Sequence, residues 1–228
     1  MITLASMAWP DVDPARMLVV PLGSTEQHGP HLPFSTDTAI AEAIASGLLA
    51  QRAAQCVLAP SLPFGASGEH QGFPGTLSIG SVVLAEVLIE LVRSATESFP
   101  GVVFVNGHGG NHDALSAAVG RCVADGRRVL GWSPSVPTGG DLHAGRTETS
   151  VMSGIHPELV RAERVAPGAT GALDVLLASM RRGGVRSVAA SGVLGDPTGH
   201  SPQEGDRILA AWTRSLVLAF DDWNPAPL

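Results

Sequence analysis

Histidine and carboxylate side chains are concentrated in four loops of the sequence, and their types suggest metal-assisted hydrolysis. The loops read TEQHGPHLPFSTDT (25–38), GEHQGFPGT (68–76), NGHGGNHD (106–113) and DLHAGRTETS (141–150). Imidazoles and carboxylates form a mixed nitrogen and oxygen donor set, which suits Zn, Mn or Fe(II) better than it suits a metal held by thiolates. The chemistry therefore depends on which of these side chains meet.

Five side chains in three of these loops are candidate metal ligands. Glu26 and His28 are two positions apart, so in an extended segment they point to the same side, although a solvated loop is the simpler explanation of an isolated Glu-x-His. Asp37 and Glu148 fall in the first turns of predicted helices, where a carboxylate stabilises the helix without a metal. His108 stands between two glycines after a buried strand, where a histidine has little to pack against.

The elements that must position these loops alternate between strand and helix. Apolar runs predict strands, and apolar residues at helical spacing predict helices. The predicted strands are 17–22, 56–60, 101–107, 127–132 and 184–190. The predicted helices are 38–52 with Ser35 or Thr36 as its cap, 81–95, 113–126, a short helix whose first turn contains Glu148, and a final one from 202. This alternation favours an α/β fold with a mostly parallel sheet in three layers, formed by a single domain over residues 1–228.

The position of the loops relative to the strands supports a common site. Open parallel sheets bind ligands at the carboxyl ends of their strands, which is where the histidines and carboxylates of this chain are concentrated. The Gly/Pro-rich stretches 60–80, 133–146 and 191–202 are accordingly interpreted as loops at the rim of that site. Five ligands at one sheet edge exceed the need of one tetrahedral ion, so the economical model is a pair of divalent ions with a bridging carboxylate and a bridging hydroxide.

Local signals predict which helix faces are buried and where the last helix begins. In the helix 81–95, Leu84, Leu88 and Leu91 are expected on one apolar face. Ser201 is expected to cap the final helix, with Glu204 three residues later completing a capping box.

Composition and charge exclude several classes of function. The 228 residues are 44% hydrophobic and carry a formal net charge of −7, so a basic surface for nucleic acid is not expected. No apolar run reaches the length of a membrane helix and no signal peptide is recognisable, so a cytoplasmic protein without a membrane partner is expected. Cys56 and Cys122 belong to no CxxC pair, and the HExxH and G-x-S-x-G motifs are absent.

The segments GSTEQHGPHLPFSTDT, SGEHQGFPGTLSIG, NGHGGNHDAL and HAGRTETSVM resemble, in order and spacing, the signature segments of the creatininase (creatinine amidohydrolase) family. The resemblance covers about residues 15–155 and continues more weakly beyond. It implies a three-layer α/β fold with a dinuclear metal site at the sheet edge, in homo-oligomers such as hexamers. It also implies that Glu26 and His108 bind one ion, that His28 binds the other, and that Asp37 bridges the two.

One position departs from the family pattern. Creatininase itself has a glutamate two residues after the histidine of its Asn-Gly-His segment, whereas this chain has Gly110 there, which argues against creatinine as the substrate. Family members with the NGHGGN form retain a glutamate in the HAGxxETS segment, so the resemblance assigns the missing ligand to Glu148. His143 matches the histidine that delivers a proton to the leaving nitrogen, and Glu69 and His70 match a loop near the substrate.

The runs GWSPSVPTGGDLHAGRTETSVM (131–152) and GVLGDPTGHSPQEG (192–205) are similar to the mycofactocin-associated branch of this family. Its members are peptidases that remove a C-terminal dipeptide of the Val-Tyr type from a modified precursor peptide. The resemblance therefore implies a peptidase that uses a metal-bound hydroxide. One alternative is an amidohydrolase of a creatinine-like cyclic amide or a formamide, with the same ions. Another is a binding protein of the same fold without activity, which is expected to hold no metal.

Overall fold

Strands and helices alternate along the chain. The computed structural model describes residues 3–135, 141–171, 176, 179–180 and 183–224, so residues 136–140 of the predicted rim loop 133–146 lie outside the described residues. The strands and longer helices are β1 (Met17–Leu22), α1 (Thr36–Gln51), β2 (Cys56–Leu58), α2 (Ser81–Ala95), β3 (Val102–Asn106), α3 (His112–Ala124), β4 (Val129–Trp132), α4 (Arg146–Ile155) and α5 (Pro202–Trp223).

The strands form a parallel sheet in the order β2-β1-β3-β4. β1 and β3 lie side by side in the middle of the sheet, with Leu18–Leu22 paired to Val102–Asn106. All residues of β1 are buried, as expected of a strand that is covered on both faces. The predicted α/β class with a parallel sheet is therefore confirmed.

Side-chain alternation along the strands divides the apolar core into two layers. Met17 and Val19 of β1 pack with α1, α4 and α5 on one face of the sheet, whereas Leu18 and Val20 pack with α2 and α3 on the other. β1 thus leads into a helix on one face, and its neighbour β3 leads into a helix on the opposite face. This divergence opens a crevice at the carboxyl ends of β1 and β3, the usual ligand position in such sheets.

One predicted strand, 184–190, is wrong. Its central residues form a 3-10 turn at Val185–Ser187, in which Ser187 donates its N–H to the carbonyl of Gly184. The apolar side chain of Val185 packs with Leu194 in a small cluster away from the sheet. The segment is apolar because its side chains pack on the crevice loops, and not because it belongs to the sheet.

Two helix predictions are each confirmed only in part. Leu91 is 39% exposed, and Val92 instead continues the buried face of α2 with Leu84 and Leu88, because a four-residue spacing stays on one side of a helix. The predicted N-cap is confirmed, since the hydroxyl of Ser201 accepts the backbone N–H of Glu204 at 3.2 Å. The predicted capping box is wrong, because the Glu204 carboxylate accepts from Arg146 and Ser150, while Ser201 N donates to the hydroxyl of Ser150. Among the described residues, no helix is long and apolar enough to cross a membrane.

Candidate metal centre

The loop after β1 brings Glu26 and His28 to the crevice, where both side chains are fully buried. The loop is closed by a backbone hydrogen bond from Glu26 N to Phe34 O at 3.3 Å. The Nδ1 of His28 lies 3.1 Å from the carbonyl oxygen of Glu26, to which it donates. Because metal-binding histidines commonly donate their second nitrogen to a carbonyl, this bond leaves Nε2 of His28 facing the crevice as a potential ligand atom.

Asp37, in the first turn of α1, links the loops of β1 and β3. Its Oδ1 is 3.0 Å from Nε2 of His28, and its Oδ2 is 3.3 Å from Nδ1 of His108. The hydroxyl of Ser24 donates to the same Oδ2 at 2.7 Å. Both oxygens of this buried carboxylate therefore face side chains of the crevice, and helix stabilisation alone does not explain their direction.

His108 reaches the cluster because a glycine precedes it. A Cβ at Gly107 would overlap the backbone carbonyl of Asp37, so the end of β3 can approach α1 this closely only with glycine at that position. The Asn106 side chain then fixes the turn, donating to His108 O at 2.8 Å and accepting from His108 N at 3.2 Å. As a result, Nε2 of His108 lies 3.1 Å from Oε2 of Glu26.

Glu148 enters the cluster from the first turn of α4. Its Oε2 accepts the backbone N–H of Ala144 at 2.6 Å, a bond that holds the start of the helix. The same oxygen is 3.9 Å from Nε2 of His28, and the side chain is 20% exposed towards the crevice. Glu148 therefore both stabilises the helix end and lies within reach of the cluster.

The three residues predicted from the resemblance to act near the substrate lie around Glu26. His143 is buried, with Nδ1 3.6 Å from Oε1 of Glu26. His70 is also buried, with Nε2 3.2 Å from the same oxygen. Glu69 is 30% exposed, and its Oε1 is 3.8 Å from Nε2 of His108. The structure thus brings all eight sequence-predicted side chains into one cluster.

Glu26 provides a test of whether this cluster suits a cation. Both of its carboxylate oxygens are buried and accept no well-aligned hydrogen bond among the described residues, although Nε2 of His70 and Nε2 of His108 lie only 3.2 and 3.1 Å away. Burial raises the pKa of Glu26 to about 7, even though the nearby His108 opposes the rise. A buried carboxylate without hydrogen bonds is costly, and a divalent ion among the surrounding imidazoles would relieve that cost. Within the described part of the chain, three sets of donor atoms are close enough to hold an ion: Glu26, His28 and Asp37; Glu26, His70 and His143; His28, His143 and Glu148.

The charges of the cluster are strongly coupled. Burial lowers the pKa of His28, but the charge and hydrogen bond of Asp37 outweigh it and raise this pKa to about 10. Burial raises the pKa of Asp37, and His28 more than reverses that effect, so the net shift is downward. A proton on His28 therefore balances Asp37 in the metal-free chain, and metal binding would release it.

Two imidazoles of the cluster, those of His70 and His143, are held neutral. Burial, with the nearby charges of His108 and His28, lowers the pKa of His70 to about 3. Burial and the neighbouring His28 and His70 also lower the pKa of His143 well below its usual range. Both rings therefore remain uncharged near neutral pH, and each has one unprotonated nitrogen.

A cavity of about 690 Å³ opens onto the cluster. Its wall combines the polar side chains of Glu69 and His70 with the apolar side chains of Leu142, Met180 and Leu194. A pocket of this size and mixed lining is typical of a site for an organic ligand.

Sequence reasoning missed Gln27, and it set His31 apart from the metal ligands as a supporting or loop residue. Gln27, between two candidate ligands, contacts His70 and His143 through its side chain, and no spacing signal marks it. His31, which looks equivalent to His28 in the sequence, is fully buried behind the cluster, where its Nε2 is 2.9 Å from Oγ1 of Thr149. His31 therefore supports the first turn of α4.

Comparisons with known proteins agree with the fold and the motifs. The family model for creatininase, described as creatinine amidohydrolase, matches residues 5–220. A mycofactocin precursor peptide peptidase from Mycobacterium tuberculosis is 50% identical over 218 residues, which are 92% of this chain and 86% of the relative. A peptidase of the same name from Mycobacterium ulcerans is 48% identical over 226 residues, covering 96% and 88%.

Solved creatininase structures share the fold. A tryptophan variant of creatininase superposes with a TM-score of 0.81 at 23% identity, over 99% of this chain and 100% of that one. A manganese form of creatininase gives a TM-score of 0.79 at 23% identity, over 99% of both chains. With the family model matched over nearly the whole length, this chain is a hydrolase of the creatininase family.

Proposed function

We propose that this chain is a metal-dependent peptidase that removes a C-terminal dipeptide of the Val-Tyr type from the modified mycofactocin precursor peptide. The observation that carries the proposal is the buried pair of carboxylates, Glu26 and Asp37, set among imidazoles at the base of a cavity of about 690 Å³. The substrate is inferred from the relatives named mycofactocin precursor peptide peptidase, which are about half identical over most of the chain.

Two divalent ions account best for the donor set. Asp37 turns one oxygen to His28 at 3.0 Å and the other to His108 at 3.3 Å, as a bridging carboxylate requires. We assign Glu26 and His108 to one ion, His28 and Glu148 to the other, and Asp37 to both. Zn, Mn or Fe(II) suits these nitrogen and oxygen donors, and one creatininase of this fold is described as a manganese form.

Divalent ions held by these residues would lower the pKa of a water molecule and polarise the scissile carbonyl. His143 is suited to carry the proton to the leaving nitrogen. Its low pKa makes the neutral ring a weak base at rest and a strong acid once it is protonated, so it releases the proton readily to an amine. Its Nε2 is anchored to the carbonyl of Gln27 at 2.7 Å, which leaves Nδ1 on the side of Glu26.

Glu69 and His70 are proposed to contact the substrate beside the scissile bond. Both line the cavity, and Oε1 of Glu69 is 4.0 Å from Nε2 of His70. Because Glu69 is the more exposed of the two, we expect it to orient the substrate from the cavity wall. His70, buried against Glu26, is placed to donate a hydrogen bond nearer the ions.

The surroundings of Gly110 argue against creatinine as the substrate. A Cβ at this position would overlap the His108 ring and lie 2.5 Å from Ala66 O and 2.7 Å from Oε1 of Glu69. No side chain fits there without movement of its neighbours, so the glutamate of creatininase has no room in this chain. The ligand that creatininase has at this position is therefore missing here, and we propose that Glu148 takes its place.

We also propose that the chain forms a homo-oligomer, up to a hexamer. Phe34, Phe64 and Leu77 are 42%, 46% and 55% exposed, and they lie on loops joined by the pairing of Thr25 with Leu77. Clustered apolar side chains of this kind mark interaction surfaces. Light scattering coupled to gel filtration tests this: a monomer at micromolar concentration would refute it.

The proposed reaction is tested by incubating the zinc-, manganese- or iron-loaded chain with the modified precursor peptide. Mass spectrometry is expected to show release of a Val-Tyr-type dipeptide and the matching truncated peptide, and chelation is expected to abolish the release. An Asp37→Asn variant serves as the matched inactive control. If the peptide stays intact while creatinine or a formamide is hydrolysed, the chain is a small-molecule amidohydrolase and the proposal is wrong.

A further inference from the structure

Gln27 is bonded to its surroundings in a way that fixes the direction of its side-chain amide. Its Oε1 accepts the backbone N–H of Gly29 at 2.8 Å, and a backbone N–H can only donate. The Nε2 end must therefore face the other neighbours, which are His70 Nδ1 at 2.9 Å and Gly192 O at 3.1 Å. The carbonyl of Gly192 only accepts, so it takes one of the two amide hydrogens.

The backbone of the same residue fixes the second imidazole. Nε2 of His143 lies 2.7 Å from the carbonyl oxygen of Gln27, which can only accept, so this nitrogen carries a hydrogen. Nε2 of His143 is also 3.0 Å from the amide nitrogen of Gln27, but a protonated nitrogen cannot accept from it. The second amide hydrogen of Gln27 is therefore donated to Nδ1 of His70. The two N–H groups of the amide thus have one acceptor each, Gly192 O and His70 Nδ1.

We propose that Gln27 is a positioning residue that places the proton on Nε2 of both His70 and His143. The two rings then present different atoms to the same oxygen, Oε1 of Glu26. His70 presents an N–H at 3.2 Å, whereas His143 presents a bare Nδ1 at 3.6 Å. One glutamine thereby makes one imidazole a hydrogen-bond donor and the other a proton acceptor.

The catalytic consequence of these proton positions rests on the proposed function. The proton positions themselves are inferred from the hydrogen bonds of Gln27 and do not depend on it. With Nδ1 bare, His143 can take a proton in the cavity without first exchanging its tautomer. His70 cannot compete as the base, because its bare nitrogen is occupied by the amide of Gln27. The choice of tautomer is set by the groups bonded to the second nitrogen of each ring, as in many histidine sites.

The test is nitrogen-15 NMR of histidine side chains in the full chain loaded with zinc, which is diamagnetic. His70→Asn and His143→Asn variants assign the two rings. In Gln27→Glu the side chain keeps its shape but cannot donate, so His70 must protonate Nδ1 to make the contact. Thr76→Val is the matched control, because Oγ1 of Thr76 accepts the backbone N–H of Gln27 at 3.2 Å and does not touch the amide.

In the wild-type chain and in Thr76→Val, both rings are expected to carry the proton on Nε2. In Gln27→Glu the proton is expected at Nδ1 of His70, and kcat is expected to fall roughly 10- to 100-fold, with KM changed by less than about twofold. If Gln27→Glu does not fold, Gln27→Met removes the donor and is expected to give a tautomer mixture at His70.

Two results would overturn the inference. One is a wild-type spectrum with the proton on Nδ1 of either ring. The other is a His70 tautomer that stays unchanged in both Gln27 variants. If the wild-type chain does not cleave the peptide, the proposed function fails, but the spectra still decide where the protons lie.

Discussion

Replacing Asp37 with asparagine removes one charge and leaves the shape of the side chain almost unchanged. Asp37 lies at the second position of α1, so the simplest alternative to a metal ligand is a residue that stabilises the helix end. The two explanations differ in what else is lost. A helix-end contribution affects only stability, whereas a bridging ligand is needed for metal binding, activity and the balance of charge around His28.

The expected magnitudes are well separated. Loss of a helix-end carboxylate costs about 1 kcal/mol of unfolding free energy. Asp37 is buried and contacts His28 at 3.0 Å, His108 at 3.3 Å and Ser24 at 2.7 Å. Breaking a buried charged pair by removing one partner costs roughly 3–5 kcal/mol. Metal-free Asp37→Asn is therefore expected to be less stable than the metal-free wild type. The pKa of His28 is expected to fall from about 10 in this variant, because the carboxylate charge that raises it is gone.

The assay combines urea unfolding of the metal-free chain, elemental analysis after metal loading, and dipeptide release. Asp113→Asn is the matched control for stability and metal content, since Asp113 is an exposed acidic residue at the second position of α3. We expect Asp37→Asn to lose metal and activity together, and Asp113→Asn to bind metal as the wild type does. A variant at Asp37 that keeps full metal content and activity and loses only about 1 kcal/mol would refute the bridging role.

Three further predictions follow from individual contacts. His143→Gln is expected to keep its metal and lose roughly 100-fold or more in kcat, and loss of metal in this variant would make His143 a ligand instead. Burial lowers the pKa of His31 to about 4, below its unfolded value of about 6.5, so its contribution to stability is complete above pH 6.5 and is lost as the pH falls towards 4. Urea unfolding at a series of pH values is expected to show that protonation of this ring lowers the free energy of unfolding by up to about 1.4 kcal/mol per pH unit. The decline is expected to be less steep in His31→Gln, and an equally steep decline in that variant would contradict the assignment to His31. Gly110→Ala is expected to displace His108 and weaken zinc binding roughly tenfold or more in a chelator competition, and an unchanged affinity would show that the loop adapts.

Much of the site could be predicted from the sequence because parallel strands end at the same edge of a sheet. The loops after β1 and β3 are far apart in sequence, and the pairing of Leu18–Leu22 with Val102–Asn106 is what brings Glu26 next to His108. The histidines and carboxylates that follow the predicted buried strands could therefore be expected to lie in one cluster. The helix 81–95 was predicted with its observed bounds, because its apolar spacing is regular.

The remaining features depend on contacts that sequence spacing does not encode. The apolar segment 184–190 has a strand-like composition, but its buried side chains pack against the crevice loops and not in the sheet. The contact of His31 with Thr149 joins positions 118 residues apart. The role of Gln27 depends on the direction of one amide, which the backbone N–H of Gly29 determines. Each of these follows only from the folded chain.

The central claim is that Glu26, His28, Asp37, His108 and Glu148 hold two divalent ions beside the substrate cavity. Anomalous diffraction from crystals of the zinc-loaded chain, recorded on both sides of the zinc absorption edge, tests it most directly. We predict two peaks per chain, with the carboxylate of Asp37 between them and the imidazoles of His28 and His108 on opposite sides. One peak, no peak, or peaks away from Asp37 would contradict the account.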